Sequence, residues 1–80
     1  MTLHPQTPGY DAEWDAGDMG CGELLIYLRN RLRAMPGRVL RLTAKDPGAI
    51  EDLPSWCRMT GDTLLQHERE TCRYWIKARP

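Results

Sequence analysis

This chain has no net charge: eleven Lys and Arg balance eleven Asp and Glu over 80 residues. Nothing global therefore draws it to nucleic acid or to anionic lipid. It has no apolar run long enough to cross a bilayer. Its opening, Met1-Thr2-Leu3-His4-Pro5, lacks the basic start and apolar centre of a secretion signal. A cytoplasmic location is the expectation. It also lacks any Cys-x-x-Cys pair, and one of its two histidines, His4, sits in the proline-containing opening, so no zinc site is expected. Cys21, Cys57 and Cys72 are odd in number and widely spaced, which argues against a disulfide framework and for reduced thiols. There is no internal repeat and no low-complexity tract.

What is present fits one small domain. A chain of this length buries roughly 60% of its unfolded surface, so its core must be simple. Residues 1–9 hold two prolines, a glycine and little apolar content, and read as a flexible tail ahead of a single domain over 10–80. From Tyr10 to Ala16, apolar and acidic residues alternate, the period of a strand with one wet face. Leu24, Leu28, Leu32 and Met35 then follow helical spacing from Gly22, and Pro36-Gly37 ends that helix. Arg38–Lys45 alternates again. A second helix is expected at about 53–60, because Pro54 suits only a first helical turn; this makes Asp52 the N-cap and Gly61 the C′ residue. Thr63–Arg69 and Cys72–Arg79 form a hairpin about Glu70-Thr71, with Trp75 in the outward set as a candidate contact patch. The expected fold is an α/β (α+β) two-layer sandwich, β-α-β-α-β-β, with two helices on one face of a four-stranded mixed sheet.

The chemistry concentrates at Asp15-Ala16-Gly17-Asp18-Met19-Gly20-Cys21-Gly22-Glu23. A thiol at a helix start meets unpaired backbone N–H groups and the positive end of the helix dipole, and both favour thiolate. Gly20 and Gly22 leave room for a partner's backbone. Glu23 suits the helix start but opposes thiolate by like-charge repulsion. The bland alternative is a free cysteine packed as a small apolar residue. Cys57 and Cys72 read as buried thiols, and His67 as a surface or half-buried strand residue. Arg29, Arg31, Arg33, Arg38 and Arg41 read as a solvated face or as a docking surface, with Arg29 and Arg33 the candidates for contact with a protein partner. Zero net charge and few exposed aromatics argue against RNA.

Residues 14–79 resemble the TusA/SirA-like sulfur-carrier proteins. Asp15-Ala16 and Cys21 stand at the spacing of that family's strand end and Cys-Pro-x-Pro motif. Asp46-Pro47, then Asp52-Leu53-Pro54-Ser55-Trp56-Cys57, then Gly61, match its second helix and flanks. Gly22 and Leu24 stand in place of the two prolines, and Asp18 where glycine is usual. The resemblance implies a persulfide site at Cys21 that relays sulfur from a donor protein such as a cysteine desulfurase to an acceptor protein, with no cofactor. A second class of function on the same fold is a non-catalytic interaction or regulatory module in which Cys21 is structural.

Overall fold

The computed structural model describes residues 7–80. The expected tail over 1–9 and His4 therefore lie largely outside the described residues. In chain order the elements are β1 (Ala12–Asp15), α1 (Cys21–Arg33), β2 (Val39–Thr43), α2 (Ala49–Thr60), β3 (Thr63–Glu68) and β4 (Arg73–Lys77). They form one mixed sheet in the order β1-β2-β4-β3. β1 runs parallel to β2, while β4 pairs antiparallel with both β2 and β3. Among the described residues no helix is long and apolar enough to cross a membrane.

The apolar stripes decide the layering. Leu24, Leu28 and Leu32 of α1 and Ala49, Leu53 and Cys57 of α2 are buried in one cluster with Leu40, Leu42, Tyr74 and Ile76 of the central strands. Both helices thus cover the same face of the sheet. Each helix follows a strand, and those two strands are parallel. The helices consequently start at the same end of the sheet, the end where β1 and β2 finish.

Three expectations need correction. First, α2 begins at Ala49, four residues before the expected start, and Asp52 is not its N-cap. The Asp46 carbonyl accepts the Ala49 N–H, and the Gly48 carbonyl accepts those of Glu51 and Asp52, so a full turn closes ahead of Pro54. Pro54 then removes only the N–H that would reach the Ile50 carbonyl, a single lost rung. The C-terminus ends as expected, with Gly61 left-handed at φ 83° and its N–H on the Cys57 carbonyl.

Second, Trp75 does alternate with Tyr74 and Ile76, but it is 1% exposed and forms no surface patch. It stands in register with Arg41 and Gln66, and its Nε1 has no hydrogen-bond partner among the described residues. A polar-looking outer sheet face can bury a tryptophan because long side chains lay their stems over it. Third, Cys72 is not in the strand. It occupies the hairpin turn with φ 59° and is half-buried, its thiol facing the Arg69 carbonyl at 3.9 Å.

Leu28 touches no solvent and sits mid-helix between the two layers. Replacing it with Ala is expected to cost about 3 kcal/mol through lost transfer energy and the cavity left behind. Urea denaturation measures this as a lower midpoint with unchanged slope.

Candidate functional site

Cys21 is the first residue of α1. The N-cap is Gly20, with extended backbone and no side chain to bond the first turn, and the Gly20 carbonyl accepts the Leu24 N–H at 2.8 Å. The helix mouth is therefore open. A Cβ added at Gly20 or Gly22 would meet nothing within 4 Å. Leu24, at the other lost proline position, contributes a fully buried side chain to the core. The thiol is neither sealed in nor fully exposed.

The tertiary structure adds two residues that sequence reading had assigned elsewhere. Asp46, read only as part of a turn, accepts a hydrogen bond from the Cys21 thiol on Oδ2, at 2.8 Å. Asp52, read as an N-cap, lies in the first turn of α2 and acts on the same sulfur. The space these groups share lies above Gly48. A Cβ there would sit 3.1 Å from Asp46 Oδ2, 3.6 Å from Asp52 Oδ2 and 3.6 Å from Cys21 Sγ. Gly48 has ordinary helical angles, φ −66° and ψ −21°, so the missing side chain serves clearance rather than backbone freedom. The two helix starts, side by side, hold a thiol on one and two carboxylates on the other.

The electrostatics reverse the expected sign. Partial burial, the hydrogen bond to Asp46, the nearby Asp52 carboxylate and the negative charge of both push the Cys21 thiol up from 9.0 to about 12. The helix dipole favours thiolate, but burial, the largest of these causes, together with the two carboxylates outweighs a terminal half-charge. The expectation of a thiolate at rest is thus corrected: at neutral pH Cys21 is a thiol. Glu23, expected to oppose ionisation, is exposed in the first turn of α1 and is not among the groups that raise this thiol.

The other named residues divide clearly. Cys57 is buried, and burial followed by the Asp62 charge raises its thiol to about 11. His67 is half-buried and stacks flat on Tyr74, ring centroids 4.1 Å apart; burial and then Arg69 hold its pKa below the ordinary value. Arg31 lies over the Trp14 ring at 4.4 Å. Arg41 lies over Tyr10 at 4.2 Å and pairs with Glu13. The arginines therefore do not form one patch. Only Arg29 and Arg33 share a surface, a groove between the helices, together with Trp56 and Arg79. Among the described residues no group of three or more His, Cys, Asp and Glu is placed to hold a metal ion.

The family described as "Sulfurtransferase TusA" matches residues 12–78. The sulfur carrier protein TusA of Pseudomonas aeruginosa (strain LESB58) is 34% identical over 76 residues, covering 91% of this chain and 96% of that protein. Its counterpart in Pseudomonas syringae pv. syringae (strain B728a) is 36% identical over 72 residues, covering 86% of each chain. That of Pseudomonas entomophila (strain L48) is 36% identical over 73 residues, covering 88% of this chain and 91% of its own.

With the thiol at about 12, alkylation of Cys21 by iodoacetamide is expected to be slow at pH 7 and to rise about tenfold per pH unit up to that value. Asp46→Asn removes the charge and leaves only a neutral, weaker acceptor, and is expected to speed alkylation at pH 8 by about tenfold or more. Gly48→Ala, which presses on the Asp46 carboxylate, is expected to move the rate the same way by less. Peptide mapping of the labelled thiol follows both. An Asp46→Asn rate equal to wild type would show that the carboxylate does not govern the sulfur.

Proposed function

The chain belongs to the TusA sulfurtransferase family, and on that premise we propose that it is a sulfur carrier which holds a persulfide on Cys21. The observation that carries this reading is the position of the thiol. It opens a thirteen-residue helix, is reachable from solvent, and is flanked by glycines that leave the approach clear. The residue types suit thiol–persulfide exchange, which needs an accessible sulfur, a place for one proton, and no metal.

The step balances without an oxidant. Cys21 Sγ bonds to the terminal sulfur of a donor persulfide as the donor's own S–S bond breaks. The donor leaves as a thiol, the Cys21 proton passing by way of Asp46 to the departing sulfur. Delivery to the acceptor is the same exchange, with Cys21 as the leaving group.

The raised pKa gives the resting carrier a defined state. Asp46 and Asp52 keep Cys21 protonated and poorly nucleophilic while the protein is alone. A cationic group of a docked partner, set against the two carboxylates, would cancel their repulsion and bring the thiol back toward its ordinary value. Reactivity would then arise in the complex, where the sulfur is wanted. The partners in this reading are a donor of the cysteine desulfurase kind and an acceptor protein. Free thiols at three positions suit a reducing compartment, and this reading places the carrier in the cytoplasm as part of the proposal.

Incubation with a persulfide donor is expected to add one sulfur atom to the intact protein by mass spectrometry. The adduct should disappear on reduction with dithiothreitol and be missing from Cys21→Ser, while Cys57→Ser retains it. An adduct that survives Cys21→Ser would move the site elsewhere. The absence of any adduct would favour the non-catalytic module.

A further inference from the structure

The groove between the helices has features that sulfur exchange at Cys21 does not use. It has a volume of about 530 Å³ and is lined by Arg29, Leu32, Arg33, Trp56, Thr60 and Arg79, among others. Arg29 and Arg33 are one turn apart on α1, exposed, and in no ion pair or side-chain hydrogen bond among the described residues. The Arg79 guanidinium donates to the Thr60 carbonyl at 3.2 Å. The one acidic side chain in the lining is Asp62. Its two oxygens already accept from the Arg79 N–H at 2.9 Å and the Thr60 hydroxyl at 2.7 Å. Three guanidiniums thus face one occupied carboxylate, beside the apolar walls of Leu32 and Trp56.

The groove also points at the thiol. On α1, Cys21, Leu25 and Arg29 follow one another at four-residue spacing, so they share a face; on α2, Asp52, Trp56 and Thr60 do the same. Because both helices start at the same end of the sheet, Cys21 and Asp52 mark one end of this corridor and Arg29, Trp56 and Thr60 the other. Cys21 to Arg29 is roughly 12 Å along the helix axis. An extended chain covers that in about four residues.

We propose that the arginine end of the groove binds an acidic, extended segment of the protein that exchanges sulfur with Cys21. In that segment, carboxylates lie about four residues from the reactive sulfur. The proposal rests on the carrier reading for the identity of the partner, but the groove's chemistry stands on its own. Guanidinium forks match carboxylates two bonds at a time. Trp56 and Leu32 offer apolar contact to a side chain between the acids. A chain laid along these two helix faces would continue from the groove toward the thiol, whereas a small anion would use only the charged end.

The test uses the full-length Cys21→Ser protein, so that binding is read without sulfur chemistry. The probe is a fluorescein-labelled peptide of sequence EDLDE, followed by polarisation, with QNLNQ as the uncharged control. EDLDE is expected to bind at low salt, to weaken as salt screens the pairs, and to lose about tenfold or more in Arg29→Glu/Arg33→Glu. Arg29→Lys/Arg33→Lys is expected to retain part of the binding, which guards against a misfolded reversal variant. Equal binding of QNLNQ, or unchanged binding by the reversal variant, overturns the proposal. So does displacement of the peptide by equimolar tripolyphosphate, which assigns the groove to small anions, or tighter binding of oligouridylate, which assigns it to RNA. Failure here leaves sulfur loading of Cys21 untouched, and failure of loading leaves the groove result standing.

Discussion

A single hydrogen bond between two helix starts organises this protein's chemistry: the Cys21 thiol to the Asp46 carboxylate. It exists because β1 and β2 are parallel neighbours. Each delivers its chain to the same edge of the sheet, where a helix turns back across the shared face. A cysteine opening one helix and an aspartate just before the other therefore meet, although 25 residues separate them in sequence. Gly48 keeps the meeting point clear, since a methyl group there would crowd both the sulfur and the carboxylates.

The contest at that point is between a dipole and full charges. A helix N-terminus offers about half a unit of positive charge, spread over several N–H groups. Against it stand partial burial first, then the hydrogen bond to Asp46 and the negative charges of Asp46 and Asp52. Together they win, and the thiol stays protonated at rest. For a carrier that must not release sulfur or react with passing electrophiles, a quiescent thiol is a workable ground state. Its dependence on two carboxylates leaves it open to change when a partner brings a cation.

The same parallel arrangement creates the interhelical corridor. The Cys21 sulfur stands at the N-terminal end, while arginines gather toward the C-terminal end, where they also complement the negative end of the α1 dipole. Arg31, one face away, is committed to Trp14, and Arg41 to Tyr10 and Glu13. What had looked in sequence like one basic surface is divided by the fold into separate local contacts and a groove.

The linear order of residues was enough for the elements, the two-layer class and the place of Cys21 at a helix start. Alternation and helical spacing are properties of neighbours along the chain, and Leu24, Leu28 and Leu32 declare a buried stripe wherever the helix packs. Three matters were decided only in three dimensions. α2 starts at Ala49 because carbonyls of Asp46 and Gly48 close its first turn before Pro54 can interfere. Trp75 is buried on a face where Arg41, distant in sequence, and Gln66, across the hairpin, stand in register with it. The protonation state of Cys21 depends on Asp46 and Asp52, which reach it only across the gap between two helices. A local pattern carries the dipole that acts on a thiol, but burial and the carboxylates of a second helix start are invisible until the fold sets them in place, and together they outweigh that dipole.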